Sequence, residues 1–196
     1  YGKYSCIHIM GLDNIDKQII NALYEKGRES LINIGEKVFK SNKDIMSHAG
    51  VRKRIVKMED SGILKVQGNI NINALNYKAC LILIEMKNYD EVKKIISAYS
   101  NCPRVFLLAQ ITGRYNLIMG IISQSIDILH RYINYCGPTN KEGILHSEIL
   151  FISNLNVPEY LPLNLFSKRS READCGNICK ECEAYLDGKC DGCGNF

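Results

Sequence analysis

Apolar and polar positions follow two different periods along the chain, and the change of period divides it. From residue 12 to residue 66, apolar side chains recur every three or four positions, which is the spacing of amphipathic helices. Asp13 and Ser47 precede two of these stripes as candidate N-caps, and Gly27 follows the first as a stop. The pattern predicts three short helices, within LDNIDKQIINALYEKG, SLINIGEKVF and SHAGVRKRIVKMEDSGIL, and then a strand within KVQGNINI.

The next hundred residues carry denser apolar runs that are typical of strands. Four such runs, ACLILIEM, RVFLLAQITG, YNLIMGIIS and ILHSEILFIS, alternate with the helical patterns DEVKKIISAY and SIDILHRYINYC. The order βαββαβ predicts a ferredoxin-like domain with both helices on one face of an antiparallel sheet. The strands are apolar at nearly every position, so the other face also needs a cover. We expect a second copy of the chain to supply it, sheet against sheet.

The predicted fold class is therefore α+β, with boundaries at the shifts of pattern. The predicted segments are a leader (1–11), a helix-turn-helix domain (12–66), a linker strand (67–76), a ferredoxin-like domain (77–156), a second linker (157–174) and a cysteine-rich module (175–196).

Composition narrows the class of protein but does not indicate a function. The 196 residues are 46% hydrophobic and 23% charged, with a net charge of +4, which describes a soluble globular protein. No apolar run approaches the length of a membrane span, and the opening YGKYSCIHIM lacks the pattern of a secretory signal. We therefore expect a cytoplasmic protein without a membrane partner.

The positive charge is concentrated in one region. Between residues 37 and 57, seven lysines and arginines accompany a single acid, Asp44. On the third predicted helix, the basic side chains lie off the apolar stripe of Val51, Ile55 and Met58. The DNA major groove accepts one helix, and flanking cations neutralise phosphates, so the pattern favours DNA binding. The alternative is a charge run that merely solvates a helix face.

The order of motifs identifies a family resemblance. LDNIDKQIINALYEKGRES followed by SHAGVRKRIVKMEDSGIL resembles the DNA-binding signature of the Lrp/AsnC (feast/famine) regulators, and QITGRYNLIMGI resembles the centre of their ligand-binding RAM domain. The similarity covers roughly residues 12–155. It implies a winged-type helix-turn-helix domain followed by a RAM domain. It further implies a homodimer, or an octamer, that binds pseudo-palindromic double-stranded DNA and a small-molecule effector.

The resemblance also implies site residues, carried over by position. The recognition helix corresponds to about residues 47–60. The DNA-binding candidates are Lys40, Lys43, Ser47, His48, Arg52, Lys53, Arg54 and Lys57, with Arg54 also a candidate for holding the fold together. The effector-binding candidates are Thr112, Gly113, Arg114, Tyr115 and Asn116.

The chain departs from the family pattern at two places. FKSNKDIM is longer than the family's usual turn before the recognition helix, and it brings in Lys40 and Lys43. Asn116 stands where aspartate is common, so the resemblance alone does not imply an amino-acid effector.

One relative of this fold is enzymatic. Siroheme decarboxylases share the domain plan and use a pocket rich in His and Arg. Here His130 lies beside a helical apolar stripe and His146 in a strand, while the enzymes' His-Asn-Tyr and Tyr-Asn-x-Trp features are absent. The chain also lacks a phosphate-binding glycine loop, a His-Glu-x-x-His motif and a nucleophile paired with a base. We therefore predict no enzymatic activity.

Five of the nine cysteines are crowded at the end of the chain. Cys175, Cys179, Cys182, Cys190 and Cys193 form the spacing C-x3-C-x2-C-x7-C-x2-C. In a reducing compartment such spacing favours metal over disulfides, and the metal supplies the folding energy of so short a module. The other four, Cys6, Cys80, Cys102 and Cys136, are scattered and are expected to be buried or incidental thiols.

Two cofactors fit this spacing. Two C-x2-C knuckles suit tetrahedral zinc, although zinc ribbons usually place about 15–20 residues between knuckles rather than seven. The leading C-x3-C-x2-C triad is similar to the cluster motif of radical S-adenosylmethionine enzymes and favours [4Fe–4S]. A cluster would make the tail a redox or iron sensor. A zinc knuckle would be structural, leaving sensing to the turn around Gly113.

Overall fold

The computed structural model describes residues 11–38, 45–163 and 178–188. The chain divides into two compact units, Tyr1–Gly68 and Asn69–Phe196. None of the helices within the described ranges has the length and hydropathy needed to cross a membrane.

The first unit contains the three predicted helices, each begun by a polar cap. They are α1 (Asn14–Glu25), α2 (Leu31–Lys37) and α3 (His48–Asp60). The Asp13 side chain accepts from the Asp16 backbone N–H, and the Asp16 side chain accepts from the Asp13 backbone N–H. These two hydrogen bonds form a capping box. Ser30 and Ser47 cap α2 and α3 through their hydroxyl oxygens.

Side chains from all three helices share one apolar core. Ile19 of α1, Ile34 of α2 and Val51 of α3 are fully buried in it. The backbone of α2 lies close to the segment that precedes α3, where the Met46 N–H donates to the Gly35 carbonyl at 3.1 Å. A Cβ atom at Gly35 would overlap the Met46 carbonyl oxygen, so this position requires glycine.

The predicted wing and linker strand are not formed. Residues 61–69, all described, contain no strand, and Ile70 makes only an isolated bridge with Leu161. A turn follows, in which the Asn71 side chain accepts from the Ala74 N–H and Asn76 adopts a positive φ of 56°. The strand prediction was wrong because asparagines that bond to nearby backbone favour turns over extended pairing.

The second unit has the predicted βαββαβ order. Its elements are β1 (Lys78–Met86), α4 (Tyr89–Tyr99), β2 (Val105–Gln110), β3 (Leu117–Ser123), α5 (Ile126–Arg131) and β4 (Ile144–Ile152). All strand pairs are antiparallel in the order β2-β3-β1-β4, which confirms the ferredoxin-like sheet. The last predicted helix is shorter than expected, because α5 passes into a π-helical turn at Tyr132–Cys136.

Both helices pack on the same sheet face. Val92 and Ile95 of α4 and Leu129 of α5 are buried in one core with Ile82 and Ile84 of β1. Both helices therefore lie on one face of the sheet, as predicted, and neither of them covers the other face.

Among the residues that the structure describes, side chains cover that second face at one end. Ile72 and Leu161 pack there against Ala79 and Ile122 in a small second core. Beyond it, Leu81 and Leu83, which alternate with the buried side of β1, are only half-buried. Leu150 lies opposite Leu81 in the strand pairing and is 43% exposed.

Candidate nucleic-acid interface

Helix α3 has one buried side and one wide exposed side. Val51 and Met58 are buried against α1 and α2, while Ile55 is half-buried. The exposed residues of the helix are His48, Ala49, Arg52, Lys53, Val56, Lys57, Glu59 and Asp60. The packing therefore presents the predicted cations of the recognition helix to solvent.

Charge along the exposed side of α3 is asymmetric. Arg52, Lys53 and Lys57 precede the two acids Glu59 and Asp60, which occupy the last turn. Within the ranges that the structure describes, no ion pair engages Arg52, Lys53 or Lys57. The helix N-terminus adds the positive end of the helix dipole to this side. The first three turns of α3 therefore form a cationic surface that suits phosphates.

Arg54 differs from its neighbours because it is already paired. Its Nη1 donates to Asp13 Oδ2 at 2.6 Å and to Asp16 Oδ1 at 2.7 Å. These bonds, Asp13 first, raise the pKa of the Arg54 guanidinium. The Asp13 carboxyl has its pKa lowered, mainly by the hydrogen bond from the Asp16 backbone and then by Arg54. Arg54 thus ties α3 to the start of α1, and a DNA contact by it stays a prediction.

The other predicted DNA contacts have different surroundings. Ser47 is engaged as the N-cap, since its Oγ accepts from the Gly50 N–H at 3.3 Å. His48 is exposed at the first position of the helix. Lys40 and Lys43 lie outside the described residues. Contacts of all these residues with DNA remain predictions.

A cleft of about 450 Å³ lies beside the Arg54 ion pairs within the first unit. Two acids, Asp13 and Asp16, and two lysines, Lys53 and Lys57, are among the residues that line it. The cleft keeps both lysines accessible along the edge of α3. In the described part of the chain, neither lysine forms an ion pair with Asp13 or Asp16.

Glu29 organises the turn between α1 and α2. Asn33 Nδ2 donates to its Oε1 at 2.8 Å, and Lys37 Nζ lies 3.0 Å from its Oε2. These hydrogen bonds, Asn33 first and Lys37 second, lower the pKa of the Glu29 carboxyl to about 2. Lys37 is therefore occupied by an internal carboxylate rather than available to phosphates.

The predicted effector turn lies between β2 and β3. Thr112, Gly113 and Arg114 are exposed, and Gly113 has a φ of 139°, which few other residues adopt. The Ile111 N–H donates to the Asn116 carbonyl at 3.2 Å and closes the turn. The conformational role of Gly113 is thus visible, while effector binding by this turn stays a prediction.

A polar cluster surrounds this turn. The Tyr115 hydroxyl donates to Glu148 Oε2 at 2.9 Å, and its ring stacks on His146 with centroids 6.0 Å apart. The Glu148 carboxylate raises the pKa of Tyr115. Arg114 Nε lies 3.7 Å from Glu85 Oε2 and lies over the Tyr115 ring. The cluster therefore offers two carboxylates, a phenol and a guanidinium to a small polar molecule.

Asn116 has a structural task that explains its departure from aspartate. Its Oδ1 accepts from the Met86 N–H at 2.9 Å, and its Nδ2 donates to the Met86 carbonyl at 2.9 Å. Its own N–H donates to the Ile84 carbonyl. The side chain thus extends the β1 to β3 pairing by imitating a backbone amide. An aspartate could accept from Met86 but not donate to it.

The scattered cysteines that the structure describes are buried, as predicted. Cys80, Cys102 and Cys136 lie in the core of the second unit, and burial raises the pKa of the Cys80 thiol to about 12. Such a thiol is a poor ligand, because metals bind the thiolate. Cys6 lies outside the described residues.

Only part of the cysteine tail is described. Cys179 begins a 3-10 turn (Cys179–Glu181), and the Cys182 N–H donates to the Cys179 carbonyl at 3.2 Å. A short helix, α6 (Glu183–Leu186), follows. Cys175, Cys190 and Cys193 lie outside the described residues. Among the described residues, no three His, Cys, Asp or Glu side chains lie close enough together to hold a metal ion.

Several residues of these sites were not anticipated from the sequence. Ala49 and Val56 share the exposed side of α3, which the helical spacing could have shown. Glu148 and Glu85 lie beside the effector turn, and strand alternation could have placed them on one face. Nothing in the sequence indicates that Arg131 Nη1 donates to the Gly188 carbonyl at 2.9 Å.

Comparison with known proteins finds transcriptional regulators that are similar to this chain. The HTH-type transcriptional regulator FL11 of Pyrococcus horikoshii is 28% identical over 156 residues, which cover 78% of this chain and 97% of the regulator. FL11 of Pyrococcus abyssi is 27% identical over 158 residues, which cover 79% and 98%. The homologues are Lrp/AsnC-type transcriptional regulators. They are not enzymes, as predicted. No protein-family model matches the chain.

Solved structures share the fold. Escherichia coli AsnC superposes with a TM-score of 0.61 at 20% identity, over 74% of this chain and 94% of AsnC. The Neisseria meningitidis regulator NMB0573, solved as a complex with L-Met, gives 0.59 at 18% identity over 79% and 97%. The comparisons give no support to a siroheme decarboxylase. His130 lies against Phe151, and His146 stacks on Tyr115.

Proposed function

We propose that the protein is a sequence-specific DNA-binding transcriptional regulator that inserts α3 into the major groove. The observation that carries this proposal is the exposed cationic surface of α3, formed by Arg52, Lys53 and Lys57. Packing of Val51 and Met58 holds that surface outward. The regulators to which the chain is similar support the same function.

The test is the salt dependence of DNA binding, measured by fluorescence anisotropy on duplex DNA. Each lost phosphate contact should reduce the slope of log K against log salt by about 1. We therefore expect Arg52→Ala/Lys53→Ala to lower the slope by about 2. The control Lys93→Ala/Lys94→Ala removes the same charge from α4 and should leave the slope unchanged. Equal slopes for both double variants would remove α3 from the interface.

We propose that a second copy covers the remaining sheet face. Leu81 and Leu83 of β1 and Ile118 of β3 are half-buried there, and Leu107 of β2 is 37% exposed. A helix-turn-helix dimer can read two half-sites, which gives this packing a function. Leu83→Lys should yield monomers in sedimentation analysis. The control Leu186→Lys, on the exposed helix α6, should remain dimeric; a dimeric Leu83→Lys protein would contradict the interface.

We propose that the polar cluster at the Gly113 turn binds a small effector of amino-acid type. Arg114 could pair with a carboxylate, and Glu85 and Glu148 could accept from an ammonium group. The L-Met complex of NMB0573 supports the ligand class. Calorimetric titration with the twenty amino acids should find binders whose heat disappears in Glu148→Gln. Absence of heat from all of them would end this proposal.

We also propose that the tail cysteines hold a [4Fe–4S] cluster, with a zinc ion as the alternative. The hydrogen bond from the Cys182 N–H to the Cys179 carbonyl, 3.2 Å long, closes a turn between these two cysteines, and C-x2-C ligand pairs of both groups come from such closely spaced positions. The remaining ligands would come from Cys175, Cys190 and Cys193. A cluster would supply redox or iron sensitivity, whereas zinc would supply folding energy.

Metal content distinguishes the two. About four irons per chain in protein purified without oxygen would support the cluster, and one zinc per chain would support the knuckle. Cys182→Ser should lose the metal, while Cys6→Ser, a thiol outside the tail, should keep it. For the sensor, oxidation should change operator affinity by about tenfold, a shift of about 1.4 kcal/mol. Equal affinity with and without the cluster would exclude sensing.

A further inference from the structure

The exposed side of α3 has an apolar centre between basic flanks. At 100° per residue, Ala49, Lys53 and Val56 in the first three turns, and Asp60 in the last turn, fall within about 30° of the line opposite the buried Val51 and Met58. Ala49 is exposed, and Val56 is 43% exposed. Arg52 and Lys57 flank this line on its two sides. The side chains that would reach deepest into a groove are therefore small and apolar at two positions.

We propose, on the basis of the DNA-binding function proposed above, that Ala49 and Val56 read thymine methyl groups. In the major groove, thymine alone presents an apolar group, its C5 methyl. Alanine and valine side chains carry no donor or acceptor, so they can distinguish bases only by apolar contact. The preferred half-site would then contain thymine at the two positions that face them.

The spacing of the two side chains sets the spacing of the thymines. Ala49 and Val56 are seven residues apart, which is about 10.5 Å along a helix. Base pairs follow one another at about 3.4 Å. A helix that follows the groove is inclined to the DNA axis, so only part of this length counts along the axis and the two thymines should be about two to three steps apart. Lys53 lies between them on the same line, and its long flexible side chain can carry the ammonium past the bases to a phosphate.

The flanking charges fix the helix over this line. Arg52 lies on one side of it and Lys57 on the other, so each can reach a different phosphate backbone. The acids Glu59 and Asp60 occupy the C-terminal end, where phosphates would repel them. The charge pattern therefore places the first three turns of α3, including both apolar side chains, in the groove.

The experiment is a thymine-to-uracil scan, which removes single methyl groups from the DNA. The probe is the duplex that the full-length wild-type protein enriches from a randomised library, with each thymine replaced in turn. We expect about fourfold weaker binding at each of two positions about two to three steps apart, as for loss of one buried methyl group. In Val56→Ala, the effect should disappear at one of them and persist at the other.

The matched control is Val66→Ala, which makes the same change at a residue outside the helix that is also 43% exposed. It should retain the wild-type response to uracil at both positions. Salt-dependent binding with no thymine-to-uracil difference at any position would overturn the methyl readout and leave the proposed DNA binding intact. Failure to enrich any duplex, with no salt-dependent binding, would overturn both.

Discussion

Replacing Arg54 should weaken the fold of the first unit more than it weakens the contact with DNA. One guanidinium nitrogen bridges Asp13 and Asp16, so the substitution removes both links between α3 and the start of α1. The three partners differ in exposure: the Asp13 side chain is 52% exposed, that of Arg54 30% and that of Asp16 17%. Solvent therefore weakens the ion pair with Asp13 (the Asp13 arm) more than the ion pair with Asp16 (the Asp16 arm).

The magnitude follows from this difference. An exposed ion pair contributes about 0.5 kcal/mol, which describes the Asp13 arm. A charge-assisted hydrogen bond to a mostly buried carboxylate contributes about 1.5 kcal/mol, which describes the Asp16 arm. Arg54→Ala should therefore lower the free energy of unfolding of this unit by about 2 kcal/mol. For a domain of this size that is a fall of roughly 10 °C in the melting temperature.

The assay is hydrogen exchange of the α1 and α3 amides, which reports on the first unit separately from the second. Arg52→Ala is the matched control, because it removes the same charge from the exposed side of α3. It should weaken DNA binding while leaving exchange within about 0.5 kcal/mol of wild type. Unchanged α1 and α3 exchange in Arg54→Ala, together with weakened DNA binding, would refute the structural role and make Arg54 a phosphate contact.

Three further substitutions test local features of the fold. Gly35→Ala should cost about 1–3 kcal/mol of unfolding free energy, because its methyl meets the Met46 carbonyl, whereas Gly68→Ala, which meets open space, should be neutral in the same denaturant titration. The lowered pKa of Glu29, about 2, means that its hydrogen bonds stabilise the fold above the unfolded value of 4.5 and are lost as pH falls towards 2. Urea titrations from pH 5 to pH 2 should therefore show a smaller loss of stability for Glu29→Gln than for wild type, and parallel curves would contradict that role. Asn116→Asp should cost about 1–3 kcal/mol in thermal unfolding, since it removes the donor to the β1 carbonyl; an unchanged melting temperature would mean that one bond suffices.

The features that the sequence predicted well are local. Asp13 and Ser47 cap helices because a polar side chain beside an apolar stripe has one dominant way to satisfy backbone N–H groups. The ferredoxin-like order was predictable because the two apolar periods differ so clearly. The linker strand was mispredicted, since Asn71 and Asn76 favour a turn that alternation alone does not reveal.

The features that could not be predicted depend on long-range contacts. The role of Asn116 follows from its bonds to Met86, thirty residues away, and the bridge from Arg131 to Gly188 spans 57 positions. The family resemblance made Arg54 a candidate for holding the fold together, but only the position of α1 shows that its partners are Asp13 and Asp16. Periodicity states which side chains face inward but not which partner each one meets.

Selection from a randomised duplex library shows whether α3 binds duplex DNA as part of a dimer. We expect an enriched pseudo-palindrome whose half-sites lie about 10 base pairs apart, or a multiple of that, as expected for two recognition helices on one side of the DNA. Arg52→Ala/Lys53→Ala should enrich it far less. If the wild-type protein enriches no motif, or if the double variant enriches it equally, α3 does not recognise DNA in this way.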